Sequence, residues 1–582
     1  MPIPRQLTSQ VYLKIAGADV QPTVTRRLIE AVVDQHAYLP ALCTLRLHDP
    51  GLELVDNGPF DLTKEVEVEA ADQTGEKVKL FKGEITALEP SFGENMLAEL
   101  VVRAYDKSHR LYRETKSAAY LNKKDSDLAS DLAGAAGLQT QIDATTTVYE
   151  HIYQHNQTDL EFLMQRAWRI GFECFVEDGK LYFRKPPGGS AAVTIRWGEQ
   201  LVSFRPRMTL AEQVDEAIVK GWDVEKKQAI VGRASSGNLY PKIQESKNGA
   251  AWAGTFGAGK LIVVDQPVVS QAEADILAAA RLDERSGAFV QADGVAIRRP
   301  EIKAGQLLKL EALGDRFSGE YLVTNATHVY NADGWRTTFT VQGSRTGLVA
   351  EQIALSAPLD RWPGVVPALV TDTEDPKQWG RVKVKFPWLS EDAASDWARV
   401  VGAGAGPEAG LFLLPEVDDE VLVAFEHGDF SRPYVLGGVW NGQHKIPPEV
   451  SAAPSNEKPL VRTWHSRTGH KIIVTETSSE KKMEIITAGG HSILLDDTNK
   501  KVEIKTTGGH KVTVDDQGKK MELASSGGQK VTMDDMGNKL AVQGGMQVEI
   551  KSSGNMTIEA GGMMDIKASG PVNIKGAIVN LN

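Results

Sequence analysis

From Gly489 to Val542 the chain alternates apolar and polar residues in short runs, and the runs are separated by pairs of glycine or aspartate. In "KVTVDD" Val512 and Val514 alternate with Lys511 and Thr513; in "KKMELA" Met521 and Leu523 alternate with Lys520 and Glu522. A period of two marks a strand with one buried face. Gly508-Gly509 and Asp515-Asp516 stand where Gly and Asp favour turns. The unit recurs every nineteen residues, opening at Gly489, Gly508 and Gly527, with Ile493 and Leu495, Val502 and Ile504, Val531 and Met533, and Leu540 and Val542 in the apolar places. A looser copy, two residues longer around "TETSSEKK", opens at Gly469.

From Met546 the period shortens to eight: "MQVEIKSS", "GNMTIEAG", "GMMDIKAS", "GPVNIKGA". Val548 and Ile550, Met556 and Ile558, Met564 and Ile566, and Val572 and Ile574 hold the third and fifth places, with Glu549, Thr557, Asp565 and Asn573 between them. One strand and a corner bury two side chains and make no core alone. A single-chain β-helix needs about 20 residues or more per coil, in line with longer solenoid repeats. The nineteen-residue unit could serve as one such coil; the octads are too short. They fit three identical chains wound about one axis, each supplying one side of a triangular prism. The pattern therefore predicts a homotrimeric intertwined β-helix over 465–582, with the eight octad residues above as its core.

Upstream, strand patterns at "VVPALVTD", "GRVKVKF", "WARVVG" and "DEVLVAFEHG" predict a small β-barrel over 362–441. Residues 442–464 are rich in Pro and Ser and read as a linker. Residues 1–350 read as α+β. "QVYLKIAG", "EVEVEAA", "KVKLFKGEITAL" and "MLAELVVRAY" are strands; "DLEFLMQRAWRIGF" spaces Leu160, Leu163, Met164, Ala167 and Ile170 on one helical face. "CFVEDGKLYFR" predicts a hairpin turning at Asp178-Gly179. "SQAEADILAAARLDERSGAF" is a second long helix with Ser270 as N-cap, and late strands follow at "QLLKLEAL", "GEYLVTNATHVY" and "WRTTFTVQG".

Length and composition narrow the function. A chain of 582 residues exceeds what one core usually serves. Its net charge of −12 argues against a nucleic-acid partner, which would call for a basic patch. Two cysteines, Cys43 and Cys174, make no disulfide framework. No basic start precedes an apolar run at the N-terminus, so no signal peptide is expected, and no run of 18 apolar residues predicts a membrane span. The expectation is a protein made in the cytoplasm and carried outside by other means.

"WGRVKVKFPW", then "DWARV", "PEVDDEVLVAFEHGD" and "RPYVLGGVWN" resemble the OB-fold barrel of VgrG-type spike proteins of contractile injection systems. The matching residues are Gly380, Arg381, Phe386, Pro387, Trp388, Trp397, Pro415, Glu416, Asp419, Glu420, Gly428, Asp429, Arg432, Pro433, Gly438 and Trp440. The order around the barrel is similar too: a part resembling phage late-control or hub proteins, the barrel, then the needle. The resemblance implies a trimeric hub bridging a three-fold spike and a six-fold inner tube. It implies baseplate neighbours, a PAAR-repeat protein at the tip, effector cargo, and contact with a target membrane only on injection. "HNQTDLEFLMQRAWRIGFECFVEDGKLYFRKP" resembles extracellular phage-tail-like particles more than type VI secretion. Some relatives carry a lysozyme between barrel and needle; the short 442–464 stretch leaves no room for one.

Candidate chemistry is sparse. His470, His491 and His510 recur after glycine, as stacked metal ligands could, but Gln529 takes the fourth place, which points to a corner residue. The pairs Asp496-Asp497, Asp515-Asp516 and Asp534-Asp535 lack the nonapeptide of calcium β-rolls. "FEHGD" places Glu426, His427 and Asp429 together without the second histidine of a zinc motif, and "GAGAGPEAG" lacks the Lys-Ser/Thr of a phosphate loop. The expectation is a non-enzymatic spike and hub without metal or cofactor. A β-solenoid glycan-degrading enzyme and a calcium-dependent adhesin are the alternatives. The octad phase would place apolar residues at 580 and 582, where Asn580 and Asn582 stand; Val579 and Leu581 are one step out. Ile578 to Asn582 are therefore expected to form a docking surface for a tip protein, because exposed strand edges and apolar ends are otherwise avoided.

Overall fold

The computed structural model describes residues 10–94, 97–223, 225–237, 241–344, 362–390, 394–428 and 432–580. They form two compact units, Met1–Gln443 and His444–Asn582.

Alternation decides the first unit's largest sheet, which has eleven strands. In Val11–Ile15, Glu65–Ala71 and Ala98–Asp106, and from Cys43 onward in Leu39–His48, every second residue is buried. Val33 faces Cys43, and Leu45 faces Val102 across the next strand, so the inward side chains stack into one core. The late strand Asn325–Asn331 returns to pair with Leu28–His36. "GEYLVTNATHVY" divides into two strands, Gly319–Leu322 and Asn325–Asn331, which join different sheets.

Three longer helices pack on the smaller sheets of this unit: α1 (Asp125–Ala135) and α2 (Asp159–Arg169) against the sheet of Glu173–Glu177 and Lys180–Arg184, and α3 (Gln271–Gly287) against Glu216–Asp223 and Gln228–Ala234. Helix α2 opens with a reciprocal cap. The Glu161 amide donates to Thr158 Oγ1 at 3.3 Å, and the Thr158 amide donates to Glu161 Oε2 at 2.9 Å. It stops at Arg169, short of the "GF" that the apolar spacing includes, because Gly171 turns into the left-handed region (φ +71°). Leu160, Leu163 and Ala167 are buried as expected, and so is Phe162. Ser270 caps α3, accepting from the Glu273 amide at 3.2 Å. Helix α1 escaped the apolar spacing because its small residues give a weak stripe. The expected hairpin is present: Asp178 (φ +51°) and Gly179 (φ +77°) make the turn that twists with its strands. Cys43 and Cys174 are free and buried.

The barrel closes from β1 (Val365–Asp372), β2 (Arg381–Lys385), β3 (Ala398–Val400), β4 (Glu420–Phe425) and β5 (Pro433–Gly438), in the order β1-β2-β3-β5-β4. Val366, Val382, Val384, Ala398, Val421, Val423 and Val435 point inward, with Phe386, Trp388 and Phe425 completing the core.

The second unit departs from the sequence reading in two ways. The stretch read as linker holds a short helix, Pro448–Ala452, and all but the last residue of β6 (Val461–His465), the first strand of the following sheet. The nineteen-residue units do not wind into coils within one chain. Each is a hairpin, because a tight turn follows every five- or six-residue strand. Strands β7 (Lys471–Glu476), β8 (Lys481–Ile486), β9 (Ser492–Asp496), β10 (Lys501–Lys505), β11 (Lys511–Asp515), β12 (Lys520–Ala524), β13 (Lys530–Asp534) and β14 (Lys539–Gln543) follow β6 in chain order, each antiparallel to the last. Beyond Gln543 the described residues, to Asn580, carry no strand.

Candidate assembly surfaces

Register turns the repeat into columns. Ile472, Ile485, Ile493, Ile504, Val512, Leu523, Val531 and Val542 face one another in succession across β7 to β14. Val474, Met483, Leu495, Val502, Val514, Met521, Met533 and Leu540 form a second column two residues away. Both columns lie on one face because side chains two apart share a face. That face is open in the single chain: Ile493 is 40% exposed, Leu523 56% and Leu540 65%. Covering the part of such side chains still exposed gains roughly 1–2 kcal/mol each.

The opposite face is already finished. Glu503 Oε2 lies 2.6 Å from Lys501 Nζ and 2.7 Å from Lys511 Nζ. Glu522 likewise takes Lys530 at 3.1 Å and Lys520 at 3.7 Å. Burial pushes the Glu503 carboxyl up, but the two ammonium groups outweigh it and hold it below the ordinary carboxylate range.

The two turn series explain the recurring polar residues. On one edge the amides of His470, His491, His510 and Gln529 donate to Ser466, Thr487, Thr506 and Ser525 hydroxyls at 2.9, 3.1, 3.1 and 3.2 Å. Each imidazole Nδ1 then accepts the backbone N–H of the next turn on that edge: Ala488 at 3.3 Å, Thr507 at 3.4 Å and Ser526 at 3.4 Å. The histidines are corner residues, and the Ser or Thr four positions earlier is the partner that the glycine-based reading passed over. On the other edge the first aspartate of each pair closes the turn. Asp496, Asp515 and Asp534 accept from the amides of Asn499, Gly518 and Gly537 at 2.9, 2.7 and 2.8 Å. Among the described residues no group of three His, Cys, Asp or Glu side chains is placed to hold a metal.

The octad residues stand open as well. Val548, Ile550, Met556, Ile558, Met564, Ile566, Val572 and Ile574 are all 46% to 73% exposed, and single-chain pairing does not order them. Ile578 and Val579 are exposed too, at 81% and 47%. Asn580 is exposed, while Leu581 and Asn582 lie outside the described residues.

The barrel's signature residues divide into core, turn and surface. Gly380 (φ +71°) passes beneath Phe412; a β-carbon there would sit 2.8 Å from the ring. Arg381 grips Asp375 twice, Nη2 to Oδ1 at 2.6 Å and Nε to Oδ2 at 3.1 Å. Asp375 also receives the amides of Lys377 at 3.0 Å and Trp379 at 2.8 Å, and so anchors the β1–β2 loop. The Arg381 hydrogen bonds hold its carboxyl well below the usual range. Asp375 was not singled out from sequence; the preceding "D-P-K-Q-W-G" turn is the signal for it. Phe386 and Trp388 are buried, and Trp388 Nε1 donates to the Pro367 carbonyl at 2.9 Å beside Trp362. Pro387 joins these two aromatics. Trp397 lies on the outer face, with Lys383 above its ring. Pro415 leads into the turn that the Glu416 amide closes onto Asp419 Oδ2 at 2.9 Å. Glu420 is buried and accepts from Trp222 Nε1 at 2.8 Å and Asn441 Nδ2 at 2.7 Å. Gly428 (φ +80°) accepts the Trp362 amide at 2.8 Å. Arg432 reaches Glu426, Pro433 and Gly438 bound β5, and Trp440 is 68% exposed. Asp429 lies outside the described residues. The Glu426 and His427 pair marks the end of β4 and its turn.

Five strands, this signature and this order define an injector-type OB barrel. The family described as "Type VI secretion system/phage-baseplate injector OB domain" matches residues 366–440. A family described as "Alg8 N-terminal domain" matches residues 51–331, and its description names no reaction. The resemblance to VgrG-type spike proteins holds, carried by the barrel. The type VI secretion system spike protein VgrG1a of Pseudomonas aeruginosa is 39% identical over 79 residues, which are 13% of this chain and 12% of that protein. The chain thus spans about an eighth of the length of the curated relatives it matches. Two solved structures are similar over larger regions. The prophage MuSo2 43 kDa tail protein of Shewanella oneidensis has a TM-score of 0.44 and 15% identity, covering 57% of this chain and 98% of that one. The E. coli c3393 protein, described as a component of the type VI secretion system, has a TM-score of 0.40 and 16% identity, covering 73% and 99%. Among the described residues no helix is long and apolar enough to cross a membrane.

Proposed function

We propose that the chain is a non-enzymatic, homotrimeric spike and hub of a contractile injection machine. In this reading residues 1–350 are the hub-like part that meets the inner tube and baseplate, 362–441 the barrel, and 465–582 the needle driven through the target envelope. The observation that carries it is the pair of apolar columns, continuous over eight strands and bare in one chain. Three copies turning these faces to a common axis would bury both columns and leave the Lys–Glu faces in water. The octads extend the same arrangement where no single chain can pair its own strands. The barrel's membership of the injector OB family supports the setting. Because burial of the columns is intermolecular, assembly and needle folding form one event. Light scattering of the purified full chain is expected to give three times the chain mass, unchanged by a chelator. A folded monomer overturns the proposal, and chelator-dependent folding favours the calcium-dependent adhesin.

A further inference from the structure

Eight of the chain's twelve methionines fall between Met483 and Met564, where leucine would fill an apolar core equally well. Four of them make two neighbouring pairs. Met521 on β12 faces Met533 on β13 in the second apolar column, beside Leu523 and Val531 in the first. Met556 and Met564 hold the third place of two successive octads, framed by Val548 before and Val572 after. Met483 stands apart, between Val474 and Leu495. Met536, in a turn, and Met563, in the second place of its octad, are 72% and 87% exposed.

The octads show which way their methionines face. Lys567 Nζ lies 2.7 Å from Asp565 Oδ2, and Lys551 pairs with Glu549, so the fourth and sixth places share a side. In an extended chain the third and fifth places take the other. Third-place residues are 46–55% exposed and fifth-place residues 64–73%, alike in all four octads. Across both columns and the octad core every side chain is Val, Ile, Leu or Met. Thioether sulfur is therefore the only side-chain donor atom that this face can offer an ion.

We infer that each methionine pair binds a soft monovalent metal ion, copper(I), once three chains surround the axis. The inference rests on the proposed trimer and deepens it by giving the needle's core a ligand. A prism whose sides are five-residue strands, each roughly 17 Å long, has its axis about 5 Å from every side. Methionine is long and unbranched, so its sulfur can approach that axis. Each pair then presents two rings of three sulfurs, one strand spacing of about 4.8 Å apart. Sulfurs from both rings can close on one ion, which the lone Met483 ring cannot do. Thioethers select copper(I), whereas calcium, magnesium and zinc call for oxygen, nitrogen or thiolate donors. A single positive charge is also easier to desolvate than a double one. The ion adds to an assembly that apolar packing already holds. Packing alone is the competing role of these four residues.

The test refolds the full chain with silver(I), a redox-inert probe of copper(I) chemistry, and strips loose ions with excess free methionine. Native mass spectrometry then counts silver per trimer. Two ions are expected, one after Met521→Leu/Met533→Leu, one after Met556→Leu/Met564→Leu, and none when all four are changed. Met563→Leu should keep both. Leucine conserves the volume of methionine, so the variants should still assemble. X-ray absorption of the wild-type trimer loaded with copper(I) should show sulfur alone bound to the metal. Nitrogen or oxygen there would place the ion on a histidine or carboxylate and overturn the inference, whatever the variants do. A trimer that retains no ion, or retains it in the fourfold variant, also overturns the inference and leaves the trimer standing. A monomer by mass overturns both.

Discussion

His328 shows what one buried residue can impose. It lies in the strand Asn325–Asn331, fully buried, with Nδ1 2.9 Å from Thr337 Oγ1 across the hairpin. Burial, and secondarily the positive charge of Lys303, push its pKa from 6.5 down to about 3. The folded chain therefore holds the neutral ring, while the unfolded chain takes up a proton below about pH 6.5. Its contribution is full above that pH and is lost as pH falls from 6.5 towards 3, at up to about 1.4 kcal/mol per pH unit. Hydrogen exchange in Asn325–Asn331 and Gly334–Val341 isolates this effect from the rest of the chain. Protection in the wild type is expected to weaken between pH 7 and 4, and His328→Gln, which keeps a partner for Thr337 but cannot titrate there, should flatten that loss. Equal slopes would show that His328 is not the responsible group.

At the scale of the element, alternation assigns opposite fates to adjacent residues. Ile558 and Thr557 are neighbours in one octad and must face opposite ways in any extended conformation. In the proposed trimer Ile558 meets its two equivalents at the axis, and Thr557 meets water. Ile558→Asp would gather three carboxylates in an apolar layer, at a cost of several kcal/mol each unless they neutralise. Thr557→Asp adds a solvated charge and should be tolerated. Thermal dissociation of the assembled protein separates the cases: a large loss for Ile558→Asp and little change for Thr557→Asp. Equal melting of the two variants would reverse the assignment of inside and outside.

For the whole molecule, the slip in phase near residue 580 matters most. Octad spacing calls for apolar residues at 580 and 582, yet asparagines stand there, and Ile578 and Val579 are exposed. In the proposed needle this slip would leave the apolar Ile578 and Val579 for a partner to cover. Deleting Ile578 to Asn582 is expected to keep the proposed trimer, which the upstream columns would hold, while abolishing capture of a PAAR-repeat tip protein in a pull-down. Undiminished capture by the truncated trimer would refute a docking role for these residues.

Strands, turns and one-sided faces were legible because alternation, paired glycines and paired aspartates are local signals. So were the barrel's strands, the cap at Ser270 and the turn at Asp178-Gly179. The same locality explains the misses. Helix α1 is built from small residues whose stripe is weak, and β6 lay hidden among prolines. A repeat of nineteen does not say whether two strands turn back on each other or wind forward, since both place the same residues on the same faces; the tight turns of this chain make hairpins. Pairing of Leu28–His36 with Asn325–Asn331 joins residues nearly three hundred positions apart, and Asp375 gains its meaning only when Arg381 folds back on it. Such contacts depend on which distant segments share a core, and that is settled by packing in three dimensions rather than by the order of residues along the chain.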